Sequence, residues 1–159
     1  MTRLSLTTAI ALLALTLAAA VAVAATKPVP FVGTYKGIAT TNQTDTTVAI
    51  TANGTGIGTL IGAGKITGVG KGDTSQRPCI PFTGTGSMKG RLGTVIFRVN
   101  PGASSCGDDA GQFFTFTGKA TVLKATGKLL RAKGTLKLSG TYDRSSGAFT
   151  VKFKGTLAK

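Results

Sequence analysis

QFFTFTGKATVLKATGKLLRAKGTLKLSGTYDRSSGAFTVKFKGTL, residues 112–157, is the stretch whose reading decides the fold class. Its last part alternates without a break: Phe149, Val151, Phe153, Gly155 and Leu157 are apolar or glycine, while Thr150, Lys152, Lys154 and Thr156 are polar. Successive side chains of a strand point to opposite faces, so this pattern buries one face and wets the other. Leu136, Leu138 and Tyr142 repeat it one strand earlier, with Lys137 and Ser139 opposite. Phe114, Phe116, Gly118, Ala120 and Val122 form a third apolar row. Such rows predict antiparallel β-structure with one solvated side.

Working back toward the N-terminus, the same period recurs. Val48, Ile50 and Ala52 share a face, and Asn53-Gly54 behind them is the strongest short hairpin signal in the chain. It predicts one strand over 46–52 and another over 55–61, with Gly62-Ala63-Gly64 turning the chain again. Val95, Phe97 and Val99 face away from Thr94, Ile96 and Arg98, in a hairpin built around Lys89-Gly90-Arg91. Residues 71–81 and 101–111 read as two long loops. The expected fold is therefore all-β: a small antiparallel barrel of about eight to nine short strands, preceded by a signal-peptide helix. The chain has 23 glycines, many inside the strand patterns. Glycine weakens a strand but permits sharp bending and close approach of neighbours, which a small barrel needs at its corners. Closure also removes the unpaired edge that a threonine-rich sheet would expose.

The domain plan is a signal peptide over residues 1–25 and one barrel domain over 26–159. Arg3 supplies the positive n-region, residues 4–23 are apolar and rich in Ala and Leu, and small residues offer cleavage after Ala24 or Ala25. This predicts a secreted protein, extracellular or in the periplasm or cell envelope, with no transmembrane span in the mature chain. An outer-membrane barrel would need an apolar outside, whereas the wet rows here carry Lys137, Lys152 and Lys154. Cys79 and Cys106 are the two cysteines, and in an exported chain an even pair predicts a disulfide. The hairpin turning near Gly90 sets Cys79 opposite Pro101, with Cys106 folding back to it.

Chemistry is constrained by what the chain lacks. It has no His and no Trp, and its five acidic residues are all Asp: Asp45, Asp73, Asp108, Asp109 and Asp143. Without His or Glu, and with both cysteines paired, most nucleophilic triads and acid–base dyads are unavailable. No catalytic residue, metal site or cofactor is assigned. Asp108-Asp109 lacks the spaced oxygens of a calcium loop and reads as a solvated turn. The glycine-rich runs precede no helix and so are not phosphate loops.

The net charge is +14, or +13 once Arg3 has left with the leader. Lys124, Lys128, Arg131 and Lys133 crowd one turn segment and are the candidate polyanion-binding residues, with an anionic cell-envelope polymer as partner. The competing reading is a solvated lysine face. The phenylalanines sit on apolar rows rather than beside the basic residues, so specific nucleic-acid binding is not expected.

The segment Ala125-Thr126-Gly127-Lys128-Leu129-Leu130-Arg131-Ala132-Lys133-Gly134-Thr135, with the strand after it, resembles a segment of the allene oxide cyclase and dirigent barrels and of small secreted bacterial proteins that carry it. Ala125 stands where that family has its first Gly, and Leu129 where it has an aromatic. The resemblance implies an eight-stranded antiparallel barrel with an apolar interior. It transfers no catalytic residue, because the plant enzymes rely in part on pocket acids and this chain has no Glu.

The functional expectation is a non-enzymatic, secreted binding module. Its ligand is either a small apolar molecule in the barrel or an anionic polymer on the basic face. The rivals are a barrel enzyme that steers a reactive intermediate by shape, and a structural surface protein that associates through strands. A lined cavity would favour the ligand or the enzyme, and a filled interior the others.

Overall fold

The structure, a computed structural model, describes residues 27–159. The expected leader, residues 1–25, lies outside the described residues. Eight strands follow one another as an antiparallel meander: β1 Pro28–Gln43, β2 Thr47–Gly58, β3 Gly62–Asp73, β4 Cys79–Gly90, β5 Gly93–Gly107, β6 Phe113–Ala125, β7 Lys133–Asp143 and β8 Ala148–Ala158. Each pairs with the next, and β8 pairs back onto β1 from Pro28↔Ala158 to Ile38↔Ala148, closing the barrel. A single-turn 3-10 helix, Gly127–Leu129, lies between β6 and β7.

The strands are longer than expected, 11 to 16 residues, and there are eight because Asn53-Gly54 is not a turn. Both residues lie in the middle of β2, paired with Ile38 and Gly37 of β1 and with Thr67 and Ile66 of β3. Gly54 serves close approach instead. A Cβ there would run into the Lys36 carbonyl, and one at Gly37 would run into the Asn53 carbonyl and the Gly54 Cα. The two strands bend tightly against each other at that corner, where no side chain fits. The chain turns at residues 59–61, with Leu60 at a φ of 69°.

The expected loops are also shorter. Both cysteines lie in strands, directly opposite each other as Cys79↔Cys106, and they form the disulfide. The simple hairpin register that set Cys79 against Pro101 fails for two reasons: the hairpin turns at Arg91-Leu92, with Gly90 opposite Gly93, and β5 carries extra residues. Between Val99 and Ala103 the pairing shifts against β4, and between Val99 and Ser104 it shifts against β6. This bulge, with Gly102 at a φ of 89°, carries Cys106 into register with Cys79.

The apolar rows all point inward. Phe31, Ile61, Met88, Val95, Leu129, Leu136 and Leu157 have no exposed surface and fill one end of the barrel. The 3-10 turn drives Leu129 into that plug, beside Ala125 and Ala132. Toward the middle, the Phe153 ring meets Phe97 at 5.0 Å and Tyr35 edge-on at 6.4 Å. Tyr35 is 1% exposed and its hydroxyl finds no hydrogen-bond partner. The outward rows are largely Thr, Ser and Lys, with Val32, Ile38, Ile57, Val69, Ile96 and Leu123 exposed among them. Among the described residues no helix is long and apolar enough to cross a membrane.

Candidate functional site: an open cavity at one end of the barrel

The half of the barrel opposite the plug is not filled. It holds a cavity of about 230 Å³ whose floor includes Phe97 and Phe153 and whose walls include Ile50, Phe82, Phe116 and Phe149. The cavity exists because two neighbouring strands place glycine at inward positions: Gly68, Gly70 and Gly72 on β3, and Gly84 on β4. Bare backbone forms that wall. At Gly68 an added Cβ would meet only the Thr85 carbonyl oxygen, at 3.5 Å.

The mouth is built by the turns at this end, and they are tied together. The Thr74 amide donates to the Thr46 carbonyl (2.9 Å) and its hydroxyl to the Asp45 carbonyl (3.3 Å), joining the β3–β4 turn to the β1–β2 turn. The Arg144 amide donates to the Gln112 carbonyl (2.9 Å), and the Ala39 amide to the Gly147 carbonyl (2.8 Å). The disulfide joins β4 and β5 at the same end. The mouth is thereby largely preformed.

Two exposed cationic side chains, Arg77 and Arg144, line this mouth, together with Gln43, Thr74 and Ser105. Arg77 follows an aspartate-capped turn and Arg144 lies within another. Asp73 Oδ1 accepts from the Ser75 hydroxyl (2.6 Å) and amide (3.0 Å). Asp143 accepts from the hydroxyls of Ser145 and Ser146 (2.7 Å each). These donors hold both carboxyls below the usual carboxylate range, the Ser75 and Ser145 hydroxyls contributing most. Asp73 and Asp143 are thus turn residues, as their positions suggested. Asp108 is another: its Oδ1 accepts from the Gln112 and Phe113 amides (2.8 and 3.2 Å). Among the described residues no cluster of metal-ligating side chains forms.

No carboxylate, imidazole or thiol lines the cavity; its polar groups are guanidinium, hydroxyl and amide. Such a lining holds an apolar body inside and can meet negative charge at the rim. Tyr142 leans on Phe114 at the mouth, their ring centroids 6.2 Å apart.

Lys124, Lys128, Arg131 and Lys133 are all exposed, on the end of β6, the 3-10 turn and the start of β7. They surround the plugged end and do not line the cavity. Sequence reading missed the rim arginines, since Arg77 and Arg144 sit in turns with no periodicity. The signal for the cavity was present: glycine at every second position of 68–72 and 84–86 announces an inward face with nothing to fill it.

No protein-family model, curated protein or solved structure matches this chain.

Proposed function

We propose that the protein binds a small amphipathic molecule, with its apolar body in the open half of the barrel and an anionic end at Arg77 and Arg144. The observation that carries this reading is the 230 Å³ apolar cavity whose lining includes two cations, Arg77 and Arg144, and no acid; Asp73 and Asp143, in the turns beside them, are engaged by serine donors. An apolar cavity of about 150 Å³ takes a benzene-sized guest, so this one suits a somewhat larger ring or a short alkyl chain. The preformed mouth supports binding without costly ordering of loops. A role in steering a reactive intermediate by shape would use the same cavity, but the lining offers no carboxylate or imidazole for proton transfer. Closure of the barrel weighs against assembly through strand edges.

The test compares octanoate with octanol by calorimetry or by NMR shifts at Ile50 and Phe149. Both should bind, octanoate about fivefold more tightly, since one exposed charge contact is worth up to about 1 kcal/mol. Arg77→Gln with Arg144→Gln should erase that preference and leave octanol affinity unchanged. Absence of binding by either compound would overturn the proposal, and a preference that survives both substitutions would overturn the role of the rim.

A further inference from the structure

The outer wall formed by β6, β7 and β8 carries a second feature, which does not line the cavity. Lys119 pairs with Lys137, and Lys137 pairs with Lys154, so three lysines stand in one row across three neighbouring strands. All three are exposed. On one side the row is bordered by Thr121, Thr135 and Thr156, and on the other by Thr117, Ser139 and Lys152, again in register. The result is a grid of four ammonium groups and five hydroxyls, with no acid in it.

Like charges directly opposite each other destabilise a sheet, whereas threonine pairs support it. The adjacent row uses threonine at every equivalent position, so folding did not require lysine here. Strands lie about 4.8 Å apart, so the row presents a positive charge about every 5 Å along a line across the sheet. The closest acid along β7 is Asp143, six residues from Lys137, or about 20 Å along a strand, and its carboxylate is engaged by serine hydroxyls.

We infer that this face binds a linear acidic polysaccharide, a chain with one carboxylate per sugar, laid across β6–β8. Charge complementarity supplies the attraction, and the bordering hydroxyls match the hydrogen-bonding surface of a sugar. Nucleic acid fits less well, because recognition of unpaired bases relies on exposed aromatic platforms and the grid offers amines and hydroxyls only. A bilayer fits less well too, because the grid has no apolar side chain to insert and a barrel wall is convex.

The probe is polygalacturonate, with retention or calorimetry on the whole chain at low and at physiological salt. Binding should weaken steeply with salt, since exposed charges are screened. Lys119→Gln, Lys137→Gln and Lys154→Gln together should weaken it about a hundredfold, taking about fivefold for each basic side chain facing an anionic surface. The triple variant should melt no lower than the parent, because the repulsion is gone. Lys128→Gln with Lys133→Gln, at the plugged end, should change affinity less than the triple variant. Parent-like binding by the triple variant would overturn the assignment. So would tighter binding of single-stranded DNA or of phosphatidylglycerol vesicles than of polygalacturonate at equal salt.

Discussion

Replacing Gly68 by valine is expected to stabilise the barrel and to close its site. Gly68 faces the cavity from β3, opposite Ala52 and Gly86, and a Cβ there touches only the Thr85 carbonyl oxygen at 3.5 Å. Glycine inside a strand costs about 0.5–1 kcal/mol relative to alanine. The two further methyl groups each add up to about 0.8 kcal/mol on full burial, reduced here by the open mouth and by side-chain ordering. The net expectation is a gain of about 1–2 kcal/mol, a rise of several degrees in melting temperature for a domain of this size. Three carbon atoms, each about the size of a water's ~30 Å³ share, remove on the order of 90 Å³ of cavity. Octanoate affinity should fall at least about tenfold, the equivalent of ~1.4 kcal/mol. Thermal melting and calorimetry on the same sample check both halves, and Gly68→Ala should lie between parent and valine in each. Most substitutions destabilise, so the opposed signs are diagnostic. A loss of stability would refute the open-wall geometry, and undiminished octanoate affinity would refute the cavity as the binding site.

Tyr35→Phe removes a buried hydroxyl that has no partner, so stability near neutral pH should rise by about 1 kcal/mol in denaturant titration; a drop of that size would show the hydroxyl to be satisfied. Burial pushes the Tyr35 pKa up to about 12. The folded state therefore holds its proton above the ordinary value of about 10, where the unfolded chain has lost it, and stability should fall as pH rises from about 10 to about 12. Subtracting the Tyr35→Phe curve from the parent's should expose a fall of about 1–2 kcal/mol across that window, and parallel curves would contradict it. Cys79→Ala with Cys106→Ala opens a crosslink spanning 27 residues, which in the chain-entropy model costs about 3.5 kcal/mol. The β-type circular dichroism should survive in the cold, and octanoate binding should weaken as Arg77, two residues from the crosslink, loses its anchor; unchanged melting would count against the bond as a staple. Chain recovered from a secreting host should contain no free thiol and should lack residues 1–24 or 1–25 by intact mass; reduced protein still starting at Met1 would count against export.

Period-two alternation reported the faces of the strands correctly, because which way a side chain points is a local property of extended backbone. Phe149, Val151 and Phe153 are buried and Lys152 and Lys154 exposed, as their order in the chain required. The cysteine pairing was legible too, since a chain with two cysteines offers one intramolecular bond. Strand limits were not legible. Asn53-Gly54 has the local chemistry of a turn, yet it lies mid-strand because the tight corner against Gly37 needs glycine there. That requirement belongs to the neighbouring strand and cannot be read from the residues themselves. The bulge in β5, which decides that Cys79 faces Cys106 in register, likewise depends on fitting two neighbours at once. The cavity is a sum over eight strands: large side chains fill one end, and the glycines of β3 and β4 leave the other open. Only closure of the sheet carries Arg77 and Arg144 from turns far apart in the chain to one rim, and only strand register turns Lys119, Lys137 and Lys154 into one row. Sequence alone determined which residues face in and which face out; tertiary structure decided which of them are neighbours, because pairing and closure are contacts between segments that a local pattern does not encode.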